Sequence, residues 1–418
     1  MLRRVLLAFV MVAFLGSMAW ALVDVNPGGK GDALIMGYYN ARNALSYFRV
    51  VNTSDMLVVA KMRFREGKRS EEVLDFVVCM SPYDEFSVLL QDGGPNAPAK
   101  LYRGKDMISD SDTVTVPGTW TEVSLRYAGT GAAATVTKDD TKEGYVEFIA
   151  LSAVSGLEEI TSAQCKDLAE KGYITIGDNT FTAVDAPDVL FGSVEIVKLA
   201  DALPIFSYKA TALKGTSDAA ITIADATGKD TPLFDDILTG GIGDLNSVLA
   251  KSAFYAMYDL RSDLAAATDL VVSFPTKKET FAASGGYAPV FSNIWDVNNN
   301  PSGSYDLAKY CVTVKFDVYD DKEQTIAQEI DFSPYEVQTN ALCYEVNYIP
   351  VGSGSAGILD TSLATVNIQT AGFDFGWVKV YFQNENDNYV PALGYELQSW
   401  VSTILSRMLE MSYDGNMD

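Results

Sequence analysis

The stretch that most constrains the fold runs over residues 56–86. There two runs rich in Val, Leu and Phe, MLVVAKMRF and VLDFVVCM, flank the charged connection REGKRSEE. Apolar runs of this length, joined by a short polar segment containing a glycine, are the pattern of a β-hairpin with at least one buried face. It stops at Ser81-Pro82-Tyr83-Asp84, because a proline cannot donate to a strand ladder and an aspartate bonds its own backbone. Phe64, Leu74 and Phe76 are its core candidates, with Asp75 turned to the other face. Arg65, Glu66, Lys68 and Arg69 are expected at a solvated tip.

Comparable strand patterns precede and follow the hairpin, at residues 33–39, 45–52, 85–90, 120–127, 144–151, 189–199 and 206–213. Helical spacing of apolar residues appears at 156–171 and, over the greatest length, at 244–264, and a mixed apolar tail at 397–411 reads as a final helix. A second β region opens at residue 269. In it residues 312–336 repeat the order strand, charged tip, strand and Ser-Pro-Tyr-acid of the opening hairpin. The expectation is a mainly β fold of two Ig-like β-sandwich domains with a few inserted helices. Residues 1–21 would be a signal peptide, 22–214 the first sandwich, 215–268 a helical connecting segment and 269–418 the second sandwich.

The leader MLRRVLLAFVMVAFLGSMAWA carries two arginines, an apolar run and an A-x-A ending, the three parts of a secretory signal cleaved after Ala21. Its apolar run is shorter than the roughly 20 residues of a membrane span, and no second long apolar run follows, so no transmembrane segment is expected after cleavage. Cleavage removes two basic residues and no acid, taking the formal charge from −24 to −26. That excess repels nucleic acid and anionic lipid. Hydrophobic residues make up 48% of the chain, enough for large cores, which excludes disorder over the whole length.

The chain has no histidine, which removes Ser-His-Asp and Cys-His nucleophiles and His-bearing zinc and haem sites. Its four cysteines, Cys79, Cys165, Cys311 and Cys343, are far apart and allow three pairings. Proximity in sequence favours Cys311 with Cys343, Cys79 with Cys165 follows by elimination, and buried free thiols are the alternative. Gly28-Gly29-Lys30-Gly31 lacks the continuation of a phosphate loop and reads as a turn.

Several fragments, among them VNPGGKGDALIMGYYN, RFREGKRSEEVLDFVVCMSPYDEF, LFGSVEIV, TDLVVSFPTK, NIWDVNN and CYEVNYIPVG, resemble in order segments of a group of exported bacterial proteins carried as hypothetical or cell-surface proteins. The resemblance spans nearly the whole mature chain and implies secretion and a repeated β-sandwich build, with no activity attached. Where that group continues NIWDVN with acidic residues, this chain has Asn298, Asn299 and Asn300.

Asp296, Asn298, Asn300 and Asp306 place oxygen ligands at intervals in one loop, the kind of set that suits calcium, although the closing Glu of an EF-hand is lacking. Asp320, Asp321 and Glu323 form a second acidic tip. Trp120, Trp295, Trp377 and Trp400 are candidate sugar-stacking residues, set against the commoner role of aromatics as cross-strand and core residues. The expected function is an exported, non-enzymatic structural or interaction protein of the cell surface, partnered by itself or by other surface proteins. A carbohydrate- or ligand-binding module is the alternative, and a His-independent hydrolase using two carboxylates a further one. An aromatic row on one exposed sheet would favour the binding module, and two carboxylates facing across a deep cleft the hydrolase.

Overall fold

The structure is a computed structural model that describes residues 23–104, 108–109, 120–122, 136–184, 186, 188–199, 204–215, 242–277, 294–296, 310–322, 325–327, 340–352, 357–382, 389–401 and 405–415. Its named strands pair antiparallel in four large sheets and one two-stranded ribbon. The first sheet has the order Val23–Val25, Thr211–Gly215, Ala33–Asn40, Glu143–Val154, Leu57–Glu66, Glu72–Met80, Ile108–Ser109. The second runs Trp120–Glu122, Lys100–Arg103, Glu85–Gln91, Ala44–Asn52, Leu190–Lys198, Ile205–Lys209. In the C-terminal half, Tyr310–Asp320, Phe375–Phe382 and Ala250–Asp259 form the middle of the third sheet, and Val346–Pro350, Ala267–Ser273, Leu393–Trp400 and Leu405–Glu410 make the fourth.

The expected hairpin is present as Leu57–Glu66 and Glu72–Met80, in register from Val58 opposite Met80 to Phe64 opposite Leu74. Strands of the second sheet alternate buried and half-buried residues, whereas Ala33–Asn40, Leu57–Glu66, Glu72–Met80 and Glu143–Val154 are buried throughout. The first sheet is therefore a middle layer covered on both faces. On the face towards the second sheet, Phe64 meets Phe48 edge-on at 5.3 Å between ring centres, and Phe86 lies between Phe76 and Phe148.

Its other face is covered partly by the C-terminal half. A Cβ on Gly37 would lie 2.6 Å from the Tyr395 hydroxyl, and one on Gly67 at 2.6 Å from Leu363, so both glycines are required by close approach. Tyr208 and Tyr395 pack at 4.6 Å, and the Val346 N–H donates to the Gly67 carbonyl. One hydrophobic core consequently includes Leu34, Phe64 and Phe148 together with Val346, Tyr348, Leu363, Tyr395 and Leu397. The molecule does not divide into two Ig-like sandwich domains, because the fourth sheet shares that core, and only a smaller cluster around Phe254, Phe316 and Val380 belongs to the C-terminal half alone.

The residues 357–363 strap this junction. The Asn40 amide donates to the Asp360 carbonyl, the Ser362 N–H to Glu143, and the Ile358 N–H to Asp269. Burial pushes the Asp269 carboxyl up to about 6, against the Ile358 and Tyr348 donors that hold it charged.

Helices depart from the sequence expectation in physically simple ways. Ser162–Lys171 forms as expected, opened by a capping box between Thr161 and Gln164 and closed by Gly172 at φ 71°. The long helix expected over 244–264 is only Ile242–Leu249, followed by the strand Ala250–Asp259. Ala253 and Met257 do fall at helical spacing, but Phe254, Tyr255 and Tyr258 suit a pleated surface, and alternation places Met257 outside. The expected tail helix is instead the pair of strands Leu393–Trp400 and Leu405–Glu410, recruited by Ala267–Ser273.

The hairpin tip is the clearest reversal. Arg65 and Glu66 are fully buried, and Lys68 and Arg69 are only half-exposed. Glu66 accepts the backbone N–H groups of Lys68 and Arg69, both at 2.8 Å, and Lys68 reaches Asp140 at 2.7 Å. Behind the tip, on the outer face of the first sheet, Arg63 meets Glu72 at 2.9 Å and Glu147 at 3.6 Å, and Arg65 meets Glu147 at 2.7 Å. A charged connection reads as wet only if nothing covers it. The second half of the repeat of this hairpin, residues 328–339, lies outside the described residues.

Candidate ligand-binding face

The third sheet keeps one face out of the core. Along Phe375–Phe382 the residues Val378, Val380 and Phe382 are buried, which turns Phe375, Trp377, Lys379 and Tyr381 outward. The register sets Trp377 between Tyr319 and Met257, and Lys379 between Asp317 and Tyr255. On a face that a solvated sheet fills with polar side chains, Lys379 and Asp317 thus stand among five aromatic rings and a methionine.

Tyr319 stacks on Trp377 at 3.9 Å with 6° between the rings, and Tyr255 lies tilted at 6.2 Å on the indole. Trp377 remains 36% exposed and Met257 55%. Lys379 lies over the Tyr255 ring at 5.0 Å and the Tyr381 ring at 4.3 Å. Burial acts to lower its ammonium, but contact with Tyr255, Tyr381 and Asp414 outweighs it and the group stays above its ordinary value. Burial and the neighbouring Asp317 push the Tyr381 phenol up to about 12.

Beside this face a groove of about 460 Å³ opens between Tyr255, Met257 and Trp377 on one wall and Leu409, Glu410 and Ser412 on the other, with Ala256, Glu396 and Met411 completing it. Glu396 accepts the Met257 N–H at 2.7 Å and meets Arg407 at 3.1 Å. Burial raises its carboxyl, opposed by those two donors. Glu396 pairs with Leu409 and Glu410 with Tyr395, so the two carboxylates leave opposite faces of the fourth sheet rather than facing each other. The arrangement offers apolar ring surface, thioether and Leu contacts and carboxylate acceptors, which is the chemistry of binding.

Of the tryptophans named from sequence, Trp377 lies on this face. Trp120 is exposed against Tyr102 at 5.3 Å. Trp400 donates its indole N–H to Asp259, whose carboxyl is held down at about 2 chiefly by Arg261. The Trp295 side chain lies outside the described residues, as do Asn298, Asn300 and Asp306. Asp296 ends the strand Ile294–Asp296, its side chain likewise outside them. Among the described residues no group of three or more acidic or cysteine side chains is placed to hold a metal ion. At the second acidic tip, Asp320 accepts the Lys322 N–H and Asp321 is exposed, with Glu323 outside the described residues.

Cys79 and Cys165 are disulfide-bonded, tying the helix Ser162–Lys171 to the hairpin. The pairing of Tyr310–Asp320 with Asn340–Leu342, carried one step beyond Val312 and Leu342, sets Cys311 opposite Cys343. Directly opposed residues in an antiparallel pair have Cα atoms about 4.5–5.5 Å apart, within disulfide range. Peptide mapping without reductant is expected to recover these two cysteines in one linked fragment, and two free thiols there would refute the pairing. Closing a loop of about 30 residues stabilises by about 3–4 kcal/mol in the chain-entropy treatment.

Tyr255, Met257, Lys379 and Tyr381 were not singled out from sequence. The available signal was alternation in FGWVKVYF, whose polar positions carry rings. No described helix is long and apolar enough to cross a membrane. Comparison of the chain with protein-family models, with curated proteins and with solved structures finds no match.

Proposed function

We propose that this is an exported, non-enzymatic interaction protein that binds a carbohydrate chain along the aromatic face and groove centred on Trp377. The observation that carries the reading is the row of Tyr319, Trp377, Tyr255 and Met257 turned outward beside that groove in a strongly acidic protein. Sugars present apolar C–H faces that pack on rings and hydroxyls that donate to carboxylates, and this surface has both. The leader residues 1–21 and the resemblance to exported proteins support secretion. Calcium at the loop containing Asp296 and Asp306 stays a proposal of the sequence alone.

Isothermal titration of the purified chain against a panel of neutral and acidic soluble polysaccharides tests the reading. At least one glycan is expected to bind and to quench tryptophan fluorescence. Trp377→Ala is expected to weaken it about tenfold, the worth of one aromatic contact at about 1.4 kcal/mol, with little change in melting temperature. A chain that binds no member of the panel overturns the carbohydrate assignment. Light scattering run alongside identifies a second copy as the occupant if the wild type is oligomeric and Trp377→Ala is monomeric.

A further inference from the structure

We propose that Lys61 and Asp75 are the site of an intramolecular isopeptide bond that cross-links the two strands of the central hairpin. Lys61 is paired with Val77 and Asp75 with Arg63, so the two side chains leave the same face of the sheet on adjacent strands, one pair apart. Lys61 Nζ lies 2.8 Å from Asp75 Oδ2, and both side chains are almost wholly inaccessible, at 1% and 3% exposure. An amine held this close to a carboxyl group, away from competing water, is in a near-attack arrangement.

The step balances without a co-reactant. Proton transfer across the contact converts the ammonium and carboxylate into the amine and carboxylic acid that react. The Nζ lone pair attacks Asp75 Cγ and an N–C bond forms. The C–O bond to the protonated oxygen then breaks, and that hydroxyl departs as water with one amine hydrogen. The product is a neutral secondary amide, and nothing is oxidised or reduced. Arg63, directly opposite Asp75 in the register, puts a positive charge on the same face of the sheet, which favours the negative oxygen of the tetrahedral intermediate.

The surroundings suit the product as well as the reactants. Consuming Lys61 and Asp75 removes one charge of each sign. Arg63 and Arg65 remain matched by Glu72 and Glu147, which they contact at 2.7–3.6 Å. Replacing two buried charges by an amide also relieves the desolvation that a buried ion pair must carry. The cross-link sits in the hairpin that the disulfide between Cys79 and Cys165 ties to a helix.

Intact-mass measurement of the purified chain, after full reduction of disulfides, decides the matter. The expected wild-type mass is one water below that of its sequence, and digestion should yield a branched peptide joining residues 61 and 75. Lys61→Met and Asp75→Ala should each restore the full sequence mass. Asp75→Asn should close the same amide by losing ammonia and match the wild-type product. A wild-type chain of full mass, with Lys61 and Asp75 recovered in separate linear peptides, overturns the proposal. That reading is made on the native sequence and does not depend on whether any variant folds. A mass deficit that persists in Asp75→Ala would equally overturn the assignment to this pair.

Discussion

Glu147→Ala is expected to cost about 3–5 kcal/mol and to leave the protein unfolded or barely folded at 37 °C, since a whole domain is commonly stable by only about 5–15 kcal/mol. Glu147 is fully buried, between Arg63 and Arg65. Removing its carboxylate leaves two guanidinium groups in the interior with half their counter-charge gone. The expense lies less in a lost attraction than in buried positive charge that is only partly compensated and out of reach of water. Arg49→Ala is the control. Its pair with Glu85, at 2.9 Å, is open to solvent on both sides and is expected to contribute within about 1 kcal/mol. Urea unfolding followed by circular dichroism measures both, and similar midpoints for the two variants would show that the outer face of the first sheet is wetter than its geometry indicates.

Phe76→Ala is expected to cost a similar about 3–5 kcal/mol, for a different reason. Phe76 is 3% exposed and packs at 6.2 Å on Phe86, which bridges to Phe148 at 5.9 Å, so truncation opens a cavity between the first and second sheets. Lys68→Ala gives the contrast along the same hairpin. It removes the 2.7 Å contact to Asp140 while Arg69 stays 3.7 Å from that carboxylate, and its cost is expected near about 1 kcal/mol. Differential scanning calorimetry in which Lys68→Ala falls as far as Phe76→Ala would place the tip, not the ring cluster, at the centre of the hairpin's stability.

The polarity of a side chain is a local property, and its exposure is not. Residues 65–69 show this, because their charge reads as a solvated tip. In the folded chain Glu66 caps the turn from inside by accepting three backbone N–H groups, those of Lys68, Arg69 and Glu71, and Gly67 admits Leu363 from almost 300 positions away. The same holds for Trp377. Its aromatic character is visible in the sequence, yet its place beside Tyr319 and Met257 depends on strands from three distant segments.

By itself the sequence determined the period-2 elements, the hairpin with Phe64, Leu74 and Phe76 inside, a short helix within residues 156–171 and the exclusion of histidine chemistry. Each follows from side-chain size, branching and backbone hydrogen bonding over a few neighbouring residues. Tertiary structure alone decided that residues 250–259, 393–400 and 405–410 extend into strands, because a neighbouring edge offered ladder partners that outweighed a weak helical preference. It also decided that the two halves share a core and that Lys61, Arg63 and Asp75 lie inside, since burial is set by what packs over a face, and that covering comes from parts of the chain far away in sequence.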